Sequence, residues 1–441
     1  MKFTWPLLSC MLLGVIPMSL AADAAATLPK PLLRDFMGVC GHTIQFKPEL
    51  YSPAVKLVRD YHPVDWDFGD DTSYATTFPM ARNGVDWKSV YGSWKKSGYT
   101  TDVSLMFEPV KPDKWKNLAA DTFAYGKAFA KYFGPSGQNL VSSAEIGNEP
   151  GGYDDAAYRT VFENMAKGLR DGDPKLQVVT CATTTGKSHA YAKSVTCVEG
   201  LEKLYDVINI HTYAQVEGWP TWRRSYPEDP AIPYLKDVTD TIAWRDAHAP
   251  GKQIWITEFG WDASTKPAPK EGDFKQWQGN TETQQAQYLV RSFLVFAKMP
   301  VDRAYIYFFD DNDDPQLHGS SGLTRKFQPK PSFFAVAHLQ KTLGDYRFTR
   351  VIEEKAGELY AYEFKHATSG QRVWALWSPT GSGRNAEVTL EFDAKALRPV
   401  GVEQMPLTKD PAAKIVFKNI GDRLTLPITE APVYVQFEAT K

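Results

Sequence analysis

Short strand-like segments alternate with amphipathic helical segments along most of the chain. The strand-like segments are rich in β-branched and aromatic residues, and the helical ones repeat apolar residues every three or four positions. The predicted strands lie at 35–44, 57–62, 101–107, 140–146, 176–181, 207–210, 253–257 and 304–309. The predicted helices lie at 86–96, 118–133, 154–170, 188–204, 232–247, 282–298 and 332–343. This alternation predicts an α/β fold, a (β/α)8 TIM barrel.

The pattern changes after about residue 344. Short alternating segments at 359–364, 372–377, 387–392, 414–417 and 433–437 are joined by turn-rich pieces, and no long helical period interrupts them. They predict a small C-terminal antiparallel β-sandwich that supports the barrel. The chain thus divides into a signal peptide at 1–22, a catalytic barrel at 23–344 and a β-sandwich accessory domain at 345–441.

The first residues are typical of an export signal. Lys2 provides a positive start, an apolar stretch follows to Leu20, and small residues for cleavage precede Asp23. An uncleaved anchor is the alternative, as is a lipoprotein cleavage box ending at Cys10. We expect an exported protein, periplasmic or extracellular, whose mature chain has no membrane span.

Composition narrows the classes of partner. A chain of 441 residues with 43% hydrophobic residues can bury a large core. The formal net charge of -2 and the sequence pI near 6.5 give no basic footprint for nucleic acid. Most of the aromatic residues, among them 13 tryptophans, are expected in the core, and a surplus of tryptophan would suit a cleft that stacks on sugar faces. The sequence does not indicate an oligomeric state.

Three cysteines remain once Cys10 leaves with the signal. Cys181 and Cys197 are close enough in sequence to pair, with Cys40 then a free thiol, but three buried free thiols are equally compatible with the sequence. No Cys/His spacing indicates zinc. We therefore expect no metal and no cofactor.

Two glutamates follow apolar strands and carry the candidate chemistry. Glu149 ends the fourth predicted strand and Glu258 ends the seventh, the edge at which barrels of this type place their active sites. Cleavage of a glycosidic bond requires two such carboxyls. One gives a proton to the leaving oxygen, and the other attacks the anomeric carbon or activates water.

The residues around the two glutamates resemble a known signature. Asn148-Glu149-Pro150, His211-x-Tyr213 and the run from Trp255 to Gly260 resemble the motifs of clan A glycoside hydrolases. Within that clan the chain is most similar to glycoside hydrolase family 39 and related groups, which join a barrel to a trailing sandwich. The resemblance covers nearly the whole mature chain in layout.

The resemblance implies a role for each matching residue. Glu149 would be the general acid and then the general base, and Glu258 the nucleophile. Asn148 would bind the sugar 2-hydroxyl, Tyr213 would orient Glu258, and His211 would line the same wall.

Three further residues belong to the predicted substrate-binding set. Arg59 would keep the nucleophile ionised, although the sequence after it departs from the family pattern. His42 follows the first strand. Phe308 occupies the place where clan members keep an aromatic floor, often tryptophan, for the sugar beside the cleaved bond.

Long connections after the sixth and seventh strands are expected to form the substrate groove. Trp219, Trp222 and Trp277 lie in them and either stack on sugar or pin the loops down. Two acidic runs, Asp310–Asp314 and 65–71, admit three interpretations: calcium binding, a solvated turn, or hydrogen bonds to sugar hydroxyls.

These observations predict a secreted retaining β-glycoside hydrolase. It would cleave a β-linked oligo- or polysaccharide by double displacement, with a carbohydrate substrate as its only expected partner. A transglycosylase on the same scaffold is one alternative. A barrel that binds carbohydrate without catalysis is the other, although such a barrel has no reason to keep both glutamates.

Overall fold

The computed structural model describes residues 29–378 and 385–440. The predicted signal peptide, with Cys10, lies outside the described residues, so export stays a prediction. Within the described ranges, none of the helices combines the length and hydropathy that crossing a bilayer requires.

Eight parallel strands close into a barrel in chain order. They are Met37–Cys40, Leu57–Pro63, Thr100–Met106, Ser143–Ile146, Gln177–Thr184, Val207–His211, Gln253–Phe259 and Arg303–Ile306. Each pairs with the next, and the eighth pairs with the first, where Tyr305 lies opposite Gly38. The predicted (β/α)8 barrel is confirmed.

Six long helices surround the barrel. They are Trp87–Lys96, Leu118–Phe133, Asp155–Gly172, Tyr234–His248, Glu282–Lys298 and Pro331–Leu343. Shorter helical turns lie at Leu33–Asp35, Pro48–Tyr51, Asp65–Phe68, Pro112–Lys114 and Val195–Val198. Side-chain caps fix several starting points: Asn117 accepts from the N–H of Ala120, and Thr281 forms a capping box with Gln284.

The helix predicted over 188–204 is wrong. The segment instead contains an antiparallel bridge between His189 and Ala192, the short strand Lys193–Ser194 and the 3₁₀ turn Val195–Val198. Its β-branched residues disfavour a helix, and the buried amine of Lys193 donates to the Tyr153 carbonyl, which anchors the short strand.

The C-terminal strands form two antiparallel sheets. The five-stranded sheet has the order Tyr346–Lys355, Leu359–His366, Arg372–Trp377, Val433–Ala439, Leu397–Gln404. The three-stranded sheet has the order Ala386–Glu391, Arg423–Ile428, Lys418–Ile420. The strand predicted at 414–417 is wrong, because Lys414 makes only one bridge, to Glu403, and the next strand begins at Lys418. The predicted sandwich is confirmed, while the domain boundary at 344/345 stays a prediction.

The central strands of the five-stranded sheet pack on both faces. Leu359, Ala361 and other alternate residues pack against the three-stranded sheet, while Tyr360 and Tyr362 belong to the core shared with the barrel. At this contact the indole N–H of Trp377 donates to Glu228 at 2.6 Å. The sandwich therefore forms a continuous core with the barrel.

All three described cysteines, Cys40, Cys181 and Cys197, are buried free thiols. Of the two sequence alternatives, the structure has three thiols and no disulfide between Cys181 and Cys197.

Candidate active site

A pocket of about 670 Å³ opens at the carboxyl ends of the barrel strands. Its volume falls within the roughly 300–1,000 Å³ that small-molecule sites occupy. Both candidate glutamates line it, together with Asn148, His211 and Tyr213. The structure thus brings five residues from three separate strand ends to one cavity.

A tight turn after the fourth strand presents Glu149 to the pocket. Gly147 has φ +85°, and a Cβ there would lie 2.7 Å from the Phe107 ring, so only glycine fits. The carboxylate of Glu108 accepts the backbone N–H of Asn148 and holds the turn from the third strand. Burial is the main reason that the pKa of Glu108 rises to about 7.

An irregularity in the seventh strand presents Glu258. The pairing with the eighth strand shifts register between Ile256 and Phe259, and the pairing with the sixth shifts just before His211. Such bulges redirect side chains at barrel rims. Glu258 is only 5% exposed, whereas the side chain of Glu149 is 25% exposed.

The two carboxyls lie close together, with His211 between them. Side-chain ligand atoms of Glu149, His211 and Glu258 all lie within 4.8 Å of one another. His211 Nδ1 is 2.9 Å from Glu149 Oε1 and 3.5 Å from Glu258 Oε2. A separation of about 5 Å is the one that permits direct attack by one carboxylate while the other protonates the leaving group.

Three donors hold the carboxylate of Glu258. Oε1 accepts the Tyr61 hydroxyl at 2.6 Å and Arg59 Nη1 at 3.1 Å. Oε2 accepts the Tyr213 hydroxyl at 2.7 Å. Oε2 has one fewer donor than Oε1 and is the oxygen nearest His211.

Arg59 is a completely buried cation shared among three partners. Its Nε and Nη2 donate to Glu145 at 2.9 and 2.6 Å, and Nη2 also donates to Asn148 at 2.8 Å. Because Asn148 accepts through its oxygen, its amide N–H groups remain for a ligand. Arg59 thus fixes both Asn148 and Glu258 from beneath the pocket.

The same contacts keep Glu258 ionised. Burial raises the pKa of Glu258, but His211, Arg59 and the hydroxyls of Tyr61 and Tyr213 together outweigh it and bring the pKa to about 2. Glu258 is therefore a carboxylate across the range in which most enzymes work. The positive charge of Arg59 at 3.1 Å also disfavours a metal cation among Glu149, His211 and Glu258.

Replacing Tyr213 by phenylalanine is expected to move the acid limb of the kcat/KM profile upward by about one to two pH units. In the wild type the Tyr213 hydroxyl stabilises the carboxylate of Glu258, and a hydrogen bond to a charged group contributes about 1.5–3 kcal/mol. Since Glu258 must be ionised in the free enzyme, its raised pKa removes activity first at low pH. Measuring kcat/KM of both proteins from about pH 2 to 8 tests this, because the wild-type pKa lies at about 2.

Tyr305→Phe is the matched control for this measurement. Tyr305 is also buried in the barrel, but its hydroxyl makes no hydrogen bond to Glu258. An unchanged acid limb in Tyr213→Phe, or the same shift in Tyr305→Phe, would contradict the assigned role of Tyr213.

The structure separates the remaining predicted substrate-binding residues. Trp222 lines the catalytic pocket, whereas Trp219 is 69% exposed and, among the described residues, lies outside its lining. Trp277 is 8% exposed and faces a different cavity beside Thr281. Phe308 lines a neighbouring cavity. His42 lies in none of these described linings, and its Nδ1 is buried without a hydrogen-bond partner.

Sequence reasoning missed three residues that complete the site. Tyr61 lies two positions after Arg59 on the same strand. Because side chains two positions apart on a strand lie on the same face, an inward Arg59 predicts an inward Tyr61. Tyr307, rather than Phe308, lines the catalytic pocket because the eighth strand ends at Ile306. The sequence does not single out Glu145 as a site residue, because a glutamate within a strand is expected to face solvent.

The two acidic runs are largely structural. Asp311 accepts from Lys330 at 2.8 Å and pairs with Arg325 at 3.3 Å, and Asp313 pairs with Arg325 at 3.1 Å. In the other run, buried Asp67 accepts from His62 Nε2 at 2.7 Å. Side chains that already accept from cations and N–H groups have few lone pairs left for calcium.

Comparison of the sequence with protein-family profiles and with curated proteins gives no match. Solved structures do match. A family 39 glycoside hydrolase from the gut symbiont Bacteroides cellulosilyticus WH2 is 18% identical, with a TM-score of 0.67, covering 93% of this chain and 81% of that one. The chain has the fold of clan A glycoside hydrolases.

Other structures with this fold carry different specificities. A glucosidase from Croceicoccus marinus is 13% identical, with a TM-score of 0.63, covering 94% of this chain and 98% of that one. A family 51 α-L-arabinofuranosidase from Bifidobacterium longum is 12% identical, with a TM-score of 0.61, covering 93% and 97%. At these identities the clan A likeness establishes the fold, and the chemistry depends on the site itself.

Proposed function

We propose that the protein is a retaining glycoside hydrolase that cleaves β-linked oligo- or polysaccharides. The observation that carries this proposal is the pair Glu149 and Glu258, which have carboxylate oxygens within 4.8 Å of each other and different surroundings. Glu258 is buried and held as a carboxylate, while Glu149 is part-exposed and contacts His211. This asymmetry suits one nucleophile and one proton carrier.

The first half of the reaction breaks the glycosidic bond. Oε2 of Glu258 attacks the anomeric carbon while Glu149 gives its proton to the leaving oxygen, and a covalent glycosyl ester forms on Glu258. The N–H groups of Asn148 face the pocket and can bind the sugar 2-hydroxyl, a contact that strengthens as positive charge develops at the anomeric centre.

The second half releases the sugar. Glu149, now deprotonated, takes a proton from water, whose oxygen attacks the anomeric carbon and displaces Glu258 as a carboxylate. Arg59, Tyr61 and Tyr213 favour this departure, because all three donate to the charge that returns to Glu258. Two inversions at one carbon give net retention.

A non-catalytic sugar-binding barrel fits these contacts poorly. Glu258 is 5% exposed, and Arg59 and the hydroxyls of Tyr61 and Tyr213 keep it ionised there. A site that only binds neutral sugar hydroxyls does not need this arrangement. A transglycosylase would use the same intermediate and differ only in the acceptor.

The charge of the pocket supports an uncharged substrate. The two arginines in the loop after the sixth strand are already paired, Arg224 with Asp262 at 3.2 Å and Arg223 with Glu217 at 2.8 Å. No surplus positive charge is left among them for an anionic glycan. We further propose, from the N-terminal sequence, that the protein meets this substrate after export.

A glycan screen tests the proposed function. The wild-type protein and the double variant Glu149→Gln/Glu258→Gln would be incubated with β-glucans, xylan, mannan, galactan and exopolysaccharides, and new reducing ends measured. We expect release from at least one polymer by wild type alone. No release by wild type, or equal release by the double variant, would refute the assignment; sugar transferred to an added glycan instead of water would identify a transglycosylase.

A further inference from the structure

A second cavity of about 550 Å³ lies beside the catalytic pocket. The two share Tyr307 and His318 as lining residues. We call this second cavity the outer pocket. Its own walls come from the loops after the first and eighth strands and include Gln45, Lys47, Phe308, Asn312, Asp314 and Phe327.

The walls of the outer pocket combine aromatic faces with polar groups. The rings of Tyr307 and Phe308 stack, with centroids 4.8 Å apart and planes 16° from parallel. Lys47 Nζ lies 3.4 Å above the Phe327 ring. Sugars present apolar C–H faces and a rim of hydroxyls, so aromatic rings beside amide and carboxylate groups are the chemistry that recognises them.

The acidic loop leaves two polar side chains of the outer pocket free for a ligand. In the acidic loop, Asp311 and Asp313 bond Arg325, and Asp310 accepts from Thr324 at 2.6 Å. In the described part of the chain, the side chains of Asn312 and Asp314 make no such bond, and both are exposed. The loop therefore uses three of its aspartates to hold its shape and leaves Asn312 and Asp314 at the cavity.

The outer pocket lies on the nucleophile's side of the cleaved bond. Its shared wall contacts the two tyrosines that hold Glu258: Tyr307 packs edge-on against Tyr61 at 6.3 Å, and His318 against Tyr213 at 4.9 Å. Residues after the fifth strand, including the 61% exposed Tyr191, line another part of the catalytic pocket. They lie on the side of Glu149, since Ala190 contacts Gly151, two residues after Glu149.

This placement sets the direction in which a glycan chain lies across the two pockets. The leaving group must lie against the acid Glu149, and the sugar that Glu258 attacks continues away from it. A chain that passes Tyr307 and His318 therefore enters the outer pocket with its non-reducing end.

We propose that the outer pocket binds sugars on the non-reducing side of the cleaved bond. The substrate is then an uncharged linear glycan with at least two sugars on that side, and removal of single terminal sugars is not the main activity. This inference rests on the proposed glycosidase function.

Aryl glycosides of increasing length test it, because the leaving group stays constant while the glycone grows. The probes are the 4-nitrophenyl β-glycosides of one, two and three sugars in the gluco, xylo, manno and galacto series. We expect kcat/KM to rise at least about tenfold from one sugar to two, as two hydrogen bonds of about 1 kcal/mol each would give.

Asn312→Ala/Asp314→Ala should remove that gain. It should lower kcat/KM about tenfold on the two-sugar glycoside and less than about twofold on the one-sugar glycoside. Gln316→Ala is the matched control, since Gln316 is exposed in the same loop and absent from the described lining of the outer pocket. It should change neither value.

The outcomes separate the two proposals. If the one-sugar glycoside is cleaved as well as the longer ones, or the double variant lowers both equally, the outer pocket does not bind glycone and the glycosidase proposal stands. If no series releases nitrophenol, the proposed glycosidase function itself is refuted.

Discussion

Replacing Glu258 by glutamine is expected to lower kcat/KM by at least about 10,000-fold, an effect typical of the loss of a catalytic nucleophile. Glutamine keeps the shape but cannot form the glycosyl ester. An activated leaving group should not rescue this variant, because a better leaving group does not supply the missing nucleophile. Assays with the natural glycan and with a 2,4-dinitrophenyl glycoside of the same sugar test both statements.

Folding of this variant must be checked separately. Glu258 accepts from Arg59 at 3.1 Å, so the neutral amide removes a charge partner from a fully buried cation. Glu145 still holds Arg59 through two bonds at 2.9 and 2.6 Å, which should keep the fold intact. Substantial activity in a folded Glu258→Gln protein would contradict the nucleophile assignment.

Replacing Glu149 by glutamine should have a different signature. On a glycan with an alcohol leaving group, kcat/KM should fall about 100- to 10,000-fold, the usual contribution of a general acid. On the dinitrophenyl glycoside it should change by less than about tenfold, since that leaving group departs without a proton. The contrast between the two substrates identifies the acid.

Hydrolysis of the glycosyl ester, the second step, tests the role of Glu149 independently. Without the base, the glycosyl ester on Glu258 should accumulate, so kcat on the dinitrophenyl glycoside should fall while kcat/KM is kept. Azide needs no base, and adding it should restore kcat by forming the glycosyl azide. An equal loss on both substrates, or no effect of azide, would contradict the role of Glu149.

The barrel could be predicted because its signals are local. Helices 118–133 and 282–298 begin and end where the sequence predicts, and Asn117 and Thr281 cap their first turns. The helix predicted over 188–204 is absent, because the segment's conformation is not set by its local sequence alone. Its short strand depends on a distant contact, that of Lys193 with the Tyr153 carbonyl, which no local pattern reports.

The site was predictable where a residue type and a strand end coincide. Glu149, Glu258 and Tyr213 meet both conditions, and the structure brings them together. The outer pocket could not be foreseen, because it depends on how the loops after the first and eighth strands meet in space. Trp277 was predicted to bind substrate because it is an aromatic residue in a long loop, but it faces another cavity.

The configuration of the sugar at the first moments of cleavage tests the central claim most directly. Proton NMR of the reducing end, recorded before mutarotation, would be followed while the wild-type protein cleaves a β-linked glycan. Two displacements through Glu258 predict that the β anomer appears first and the α anomer grows only later. Initial appearance of the α anomer would contradict the account, because it would require water to attack the anomeric carbon in a single step.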